Sequence, residues 1–385
     1  MSVHPDIAIV VIAYNRPLSL ERLLSSLQDV DFEGISVPLI ISIDYSEKDS
    51  VYDIAAAYEW PYGEKRIIKH DKNLGLRNHV LFCGDLVSDY DAIVVLEDDL
   101  VVSPAMFSYT WRAVEYYNNN DSIAAISLYA KRFNETAMKP FEPANYGDDT
   151  YFVQTAESWG QVWMKRQWMM FREWYKENAE PFTDAENIPL NVCRWGENSW
   201  KKYHIKYCIE CNKWTVYPYV ALSTCMGDAG EHFENSTSLW QVPLLFGTKH
   251  EYKFADLNEK NAVKYDAYLE RCYKEDICMD LYGKKQNYGS FMFVITSKHL
   301  PYEAVESYGL SMRPHEMNIY HTVPGDRFFK YRLDSSRPDN SCCANDDILY
   351  YHFVDPDTVI RKAKISELIN ELRRRIRKRF RLRIK

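Results

Sequence analysis

The stretch D-A-I-V-V-L-E-D-D-L-V-V-S-P, from Asp91 to Pro104, constrains this chain more than any other. Ala92-Ile93-Val94-Val95-Leu96 is an unbroken apolar run, which predicts a strand buried on both faces. It stops against three consecutive carboxylates, Glu97, Asp98 and Asp99. Like charges at that density repel one another and resist burial. At the end of an interior strand they need a cation or a set of hydrogen-bond donors. A solvated acidic loop is the plain alternative, and the flanking sequence decides between the two.

One pattern recurs on the N-terminal side. Ile7–Ala13 reads as a central strand, and Tyr14-Asn15-Arg16-Pro17 breaks it. Pro17 suits a first helical turn, where a missing N–H costs nothing. Leu20, Leu23, Leu24 and Leu27 then fall on one helical face. A second strand over 38–43 ends at Asp44-Tyr45-Ser46, and a helix is expected over 51–60. A short strand over 66–69 precedes a helix that opens at Asn73, carries Arg77 and runs to about residue 86. Beyond the acidic triplet, the pattern predicts a helix over 105–117 and a strand over 123–128. This alternation predicts an α/β fold, a mostly parallel sheet covered by helices. Its turns gather polar groups at the carboxyl edge of the sheet, where ligands bind. The G-x-G-x-x-G turn of dinucleotide folds is missing.

From residue 150 the pattern changes. Glu157-Ser158-Trp159-Gly160-Gln161-Val162-Trp163 leads into an aromatic-rich helix through about Tyr175. Trp159, Trp163, Trp168 and Trp174 are candidates to line a sugar site, with core packing the alternative for at least half of them. The segment Arg194-Trp195-Gly196-Glu197-Asn198-Ser199-Trp200-Lys201 opens another expected helix. A strand over 213–219 leads to a polar loop, Gly227-Asp228-Ala229-Gly230-Glu231-His232-Phe233. A helix is expected over 259–275 and a strand over 291–295.

With 385 residues, the chain can bury the core of one large domain or two. Its net charge is −8, but nine Arg and Lys without a single acid crowd into 372–385, leaving the remainder near −17. An acidic body argues against a broad nucleic-acid surface. Nine cysteines are an odd number without a regular framework, and Cys208-x-x-Cys211 has no second pair. That predicts isolated thiols in a reducing compartment. The chain is expected to enter its first strand without a signal peptide and to lack a membrane-spanning segment.

Asn15-Arg16, Asp44, Arg77 and Glu97-Asp98-Asp99 thus converge on one sheet edge. Basic groups there can pair with a diphosphate, a lone carboxylate can accept from a base or ribose, and a terminal carboxylate can hold a hard divalent cation. On these residues the chain resembles a GT-A glycosyltransferase of the bacterial family 2-like kind, related in pattern to N-acetylglucosaminyltransferase I. I-V-V-I-A-Y-N-R-P is similar to that group's first strand and turn, and I-S-I-D to its second nucleotide-contact point. V-V-L-E-D-D-L-V-V-S-P is similar to the E-D-D variant of its D-x-D metal motif. W-G-x-x-W and G-D-A-G-E-H follow in the same order, so the resemblance covers about residues 6–235.

The resemblance implies an inverting hexosyl- or N-acetylhexosaminyltransferase with a nucleotide-sugar donor, a UDP-sugar first. It implies donor contacts from Ala13, Asn15, Arg16, Asp44, Arg77, Glu97 and Asp98. Among these, Asp44 meets the base, Asp98 the ribose or donor sugar, and Glu97 supports the turn. Asp99 would ligate Mn²⁺ or Mg²⁺, with His232 serving the metal or the diphosphate. Glu197 matches the general base, and Glu157 and Asp228 compete for that role. Two other functions are weighed against this one. A sugar-1-phosphate nucleotidyltransferase would carry a glycine-rich basic N-terminal loop, which is missing here. A non-catalytic glycan-binding protein at a membrane would not turn over donor.

The tail supplies a location. Ile365, Leu368, Leu372, Ile376 and Phe380 form one helical stripe against an arginine-rich face. That pattern predicts an interfacial helix on an anionic membrane. Three parts are therefore expected: a GT-A domain over 1–245, a C-terminal subdomain over 246–360 for acceptor contact or packing, and a basic amphipathic helix over 361–385. Such an enzyme would sit on the cytosolic face of the inner or plasma membrane. There it would extend a glycan or lipid-linked glycan acceptor in bacterial surface polysaccharide, lipopolysaccharide or capsule synthesis.

Overall fold

The computed structural model describes residues 4–228 and 237–333, together with helical positions 365, 369, 372 and 373. The chain forms two compact units, Met1–Asp280 with Lys284–Val294, and Leu281–Gly283 with Ile295–Lys385. The second contains an antiparallel pair, Glu303–Tyr308 with Phe328–Arg332. Every described candidate residue lies in the first.

The first unit begins with the expected alternation: β1 (Ile7–Ala13), α1 (Pro17–Gln28), β2 (Leu39–Ile43), α2 (Ser50–Ala57), β3 (Lys65–Lys69), α3 (Gly75–Asp85) and β4 (Ala92–Glu97). Then come β5 (Leu100–Val102), α4 (Met106–Tyr117) and β6 (Ile123–Ser127). A small hairpin, β7 (Phe133–Asn134) and β8 (Lys139–Pro140), precedes β9 (Thr150–Val153), β10 (Gln161–Met164) and α5 (Lys165–Asn178). The unit continues with α6 (Leu190–Cys193), α7 (Trp200–Glu210), β11 (Trp214–Pro218), β12 (Ser223–Cys225) and β13 (Lys264–Tyr265). The main sheet runs β13-β9-β11-β6-β10-β4-β1-β2-β3.

Local sequence explains the first half. All seven residues of β1 are buried. Pro17 sits at the start of α1, and Leu20, Leu23, Leu24 and Leu27 are each at most 1% exposed against the sheet. Each such leucine contributes about 1.5–3 kcal/mol by leaving water. Helix α2 is shorter than expected: Tyr58 is extended, and Trp60 precedes a proline that disfavours helix. The Trp60 indole instead donates to the Val37 carbonyl at 2.7 Å.

Register then gathers the turns. β1 is parallel to β2 and β4, with Ala13 beside Ile43 and Ile12 beside Glu97. Their carboxyl ends therefore share one edge. β10 runs antiparallel between β4 and β6, with Gln161 beside both Val95 and Ser127. The loop entering β10, which holds Glu157, opens on the same edge. β5 pairs with β12, Leu100 beside Cys225, and this carries residues 226–228 to the acidic triplet.

Two expectations need correction. Residues 259–275 contain no helix; β13 adds to the edge of β9, and Asp266 Oδ1 accepts the Tyr268 and Glu270 N–H groups at 2.9 and 3.0 Å to close a turn. Val263, Tyr265 and Leu269 pack there in a small aromatic core. Trp163 and Trp168 cannot line a sugar site. They are buried and stacked on each other at 4.0 Å. Trp159 and Trp174 are partly buried.

Candidate active site

The acidic triplet ends β4 as the apolar run demands, and its cation is a protein side chain. Arg16 Nη1 donates to Asp99 Oδ2 at 2.9 Å, and Nη2 donates to Asp98 Oδ1. The Arg16 backbone is fixed by Pro17 behind it and by the Leu20 N–H, which donates to its carbonyl at 3.1 Å. Burial works against the Arg16 charge, but Asp98 and Asp99 outweigh it and hold the guanidinium above its ordinary pKa.

The three acids differ. Burial pushes Glu97 up to about 8, with Asp99 adding repulsion and Arg16 opposing. Burial also pushes Asp98 up to about 6, against the pull of Arg16 and a hydrogen bond from the Tyr14 backbone. Asp99 is held by its main chain, whose carbonyl accepts the Met226 N–H at 2.9 Å. Cys225 Sγ lies 3.9 Å from Asp99 Oδ2. The other carboxylate oxygen, Oδ1, is buried without a hydrogen-bond partner among the described residues.

Asp44 sits at the end of β2 and is already engaged. Its Oδ1 accepts the Tyr45 and Leu74 N–H groups at 2.9 and 2.8 Å, and its Oδ2 accepts the Gly75 N–H at 3.2 Å. Gly75 has φ +73°, a conformation that favours glycine and turns the chain into α3. Asp44 therefore builds the turn, with lone pairs left for a ligand donor. Ala13 is buried in the adjoining strand end, its carbonyl accepting the Asp44 N–H at 2.9 Å, and Asn15 is exposed beside it. Arg77 lies on α3, 5.1 Å above the Tyr203 ring, with Nη1 buried and unpartnered among the described residues.

The three candidate bases occupy different settings. Glu197 precedes α7, whose N-cap Ser199 accepts the Lys202 N–H at 3.3 Å. The fully buried Lys202 staples this loop, donating to Trp195 O at 3.1 Å and to Glu197 Oε1 at 2.9 Å. Tyr203 Oη donates to Glu197 Oε2. The Tyr203 hydrogen bond holds the Glu197 carboxyl below its ordinary pKa, helped by Lys202 and Arg77 against partial burial. Its side chain keeps 41% exposure. Glu157 is wholly enclosed, with Lys131 at 3.4 Å and Lys201 at 3.5 Å. Asp228 is bound by Arg22 and by Ser19 Oγ, the latter at 2.7 Å. His232 lies outside the described residues.

This edge therefore joins Arg16, Asp98 and Asp99 directly, sets Asp44 against the start of α3, and ties Glu197 to Lys202 and Tyr203. Residues 8–178 match the family model described as glycosyl transferase family 2. They form a family 2 glycosyltransferase domain. No curated protein sequence matches the chain. Solved structures that are similar to it include the mannosyltransferase PcManGT from Pyrobaculum calidifontis in complex with GDP-Man and Mn²⁺, at 13% identity over 56% of this chain and 55% of that one, TM-score 0.35. GalNAc-T7 with UDP, GalNAc and Mn²⁺ is similar at 12% identity over 57% and 43%, TM-score 0.40. S. aureus TarS, residues 1–349, is similar at 10% identity over 52% and 55%, TM-score 0.34. The chain spans about half the length of the solved structures it matches.

The glycosyltransferase domain contains every donor-edge candidate from Ala13 to Asp99, and also Glu157. Glu197, Asp228 and His232 follow it in sequence. Its oxygen-rich acidic turn suits a hard cation such as Mn²⁺ or Mg²⁺. Among the described residues, no three His, Cys, Asp or Glu side chains gather into a complete metal site. A cation that takes its remaining ligands from phosphates and water needs only one or two carboxylates. The orphaned, buried Asp99 Oδ1 fits that role. Sequence reasoning missed Lys131, Lys201 and Lys202, because a lysine gives no sign in sequence of being buried. Lys201 and Lys202 do adjoin Glu197 closely enough that a search of its neighbours would have found them.

Proposed function

We propose that this chain is an inverting, metal-dependent glycosyltransferase that moves a sugar from a nucleotide sugar, a UDP-sugar first, to a glycan or lipid-linked glycan acceptor. The observation that carries the reading is the buried Asp99 Oδ1, unpartnered among the described residues, beside Asp98 and Arg16 at the carboxyl edge of a family 2 domain. Asp99 holds Mn²⁺ or Mg²⁺, and His232 is a candidate to join it. The bound ion supplies positive charge to the departing diphosphate. Asp44 and Arg16 receive the nucleotide, Asp98 the ribose or donor sugar, and Arg77 the donor's negative charge. Ala13 and Asn15 line the turn, and Glu97 supports it.

Glu197 is the proposed base because its side chain is reachable, whereas Glu157 is enclosed by two lysines and Asp228 is occupied by Arg22. In the reaction, the acceptor oxygen forms a bond to the anomeric carbon from the face opposite the leaving group. The bond from that carbon to the phosphate oxygen breaks, and its electron pair departs with the nucleoside diphosphate. The acceptor's proton passes to Glu197, which Tyr203 and Lys202 keep ionised beforehand.

We further propose that 361–385 holds the protein to an anionic cytosolic membrane surface where bacterial surface polysaccharide is built. Most of that segment lies outside the described residues. The described positions Ile365, Ile369 and Leu372 are helical and exposed, as an apolar stripe free to meet lipid would be. Among the described residues, no helix is long and apolar enough to cross a membrane. Residues 1–245 would then be the transferase body and 246–360 its acceptor or packing extension. The test is a panel of nucleotide sugars assayed for nucleotide release with Mn²⁺. Release from one class, UDP-sugars first, is expected; no release from any would overturn the reading.

A further inference from the structure

Arg16 binds the acidic pair with the geometry of a substitute cation. Its two terminal nitrogens reach across to two different carboxylates, Asp99 Oδ2 at 2.9 Å and Asp98 Oδ1. Three carboxyl groups stand in a row at the end of β4, and Arg16 is hydrogen-bonded to two of them, Asp98 and Asp99. Among the described residues only one Asp99 oxygen is taken; the other is buried without a hydrogen-bond partner. A guanidinium cannot satisfy this cluster fully, because it brings one charge spread over a planar fork. A divalent ion brings twice the charge and approaches a carboxylate oxygen to about 2.0–2.2 Å.

We infer that Arg16 is a stand-in cation: it holds Asp98 and Asp99 together before the metal arrives, gives up Asp99 to the incoming divalent ion, and is thereby freed to face the anionic donor. The inference rests on the metal reading of Asp99 given above. The backbone of Arg16 does not need to move, since Pro17 and the first turn of α1 fix it, and its long side chain supplies the reach. Metal binding and donor binding are coupled through this one residue. Arg16 opposes the bare ion and favours the ion that comes with a diphosphate.

The test is Mn²⁺ binding to the full chain without nucleotide, read from the loss of the free-ion EPR signal. Arg16→Gln is expected to bind Mn²⁺ about tenfold tighter than the wild type, because the competing charge is gone. Arg16→Lys keeps the charge and is expected to stay near the wild type. Asp99→Asn is expected to lose binding in every background. Adding UDP should tighten Mn²⁺ binding more in the wild type than in Arg16→Gln. If Arg16→Gln binds Mn²⁺ no tighter than the wild type, or if Arg16→Lys gains as much as Arg16→Gln, the stand-in role is wrong while the metal reading survives. If neither the wild type nor Arg16→Gln takes up Mn²⁺, with or without UDP, the metal reading itself fails.

Discussion

Two acidic clusters lie at the same sheet edge and are built in opposite ways. Around Glu157, every charge has an answer. Its Oε1 accepts the Ser158 and Trp159 N–H groups at 2.9 and 3.4 Å, and its Oε2 accepts from Tyr217 Oη at 3.4 Å. Lys131 and Lys201 flank it, and Lys131 reaches on to Glu135 at 3.3 Å. Burial opposes the Lys131 charge, but Glu157 and Glu135 outweigh it. Around Asp99, Arg16 is hydrogen-bonded to two of the three carboxylates, and one buried Asp99 oxygen has no hydrogen-bond partner among the described residues. A saturated buried network fixes structure, whereas an unsaturated one is kept only where something else completes it. The difference separates the enclosed acid from the acid proposed to hold the metal.

The contrast can be broken at several points. Asp99→Ala should cut Mn²⁺-dependent transfer on the order of 10³-fold while leaving the melting temperature near that of the wild type. Steady-state rates and thermal melts measure both, and unchanged turnover would remove Asp99 from the reaction. Glu197→Gln should lower the transfer rate by on the order of 10²-fold, with donor affinity kept. Normal turnover in that variant would move the base elsewhere. Glu157→Gln should act mainly on folding. It takes the buried carboxylate from Lys201 and leaves Lys131 with Glu135, a loss of up to about 3–5 kcal/mol, read by denaturant titration. Full stability with lost activity would reverse the roles assigned to the two clusters.

A smaller effect depends on pH. Glu97 rises from its ordinary 4.5 to about 8 in the folded protein. The folded state therefore binds more protons than the unfolded chain between those values. Stability should fall as pH rises from about 4.5 to 8, and Glu97→Gln should flatten that slope in metal-free protein. An unchanged slope in chemical denaturation across this range would show that Glu97 carries no such strain. Removing 372–385 should have the least effect on the site. It should release the protein from anionic liposomes in co-sedimentation and leave transfer to a soluble acceptor unaltered. Retention on the liposomes would refute the membrane role.

The donor half was readable because its signals are local. The β1 run, Pro17, the four leucines of α1 and the Ala92–Leu96 run each encode their own element, and parallel register brings their polar ends together. The second half was less readable because its structure comes from distant pairings. β10 inserts between β4 and β6, and Trp163 and Trp168 stack in the core, though nothing near them in sequence distinguishes them from surface tryptophans. The helix expected over 259–275 is an edge strand and a turn instead, because β13 pairs with β9, which is distant in sequence. At the site, carboxylates could be named from sequence, but their partners could not. That Asp44 caps a turn and that Lys202 pins Glu197 are facts of tertiary contact.

The most direct measurement is nucleotide release by the wild-type chain from a UDP-sugar, with EDTA and then with added Mn²⁺. Chelation is expected to abolish release, and Mn²⁺ to restore it. Release that continues undiminished in EDTA would contradict the account at its centre.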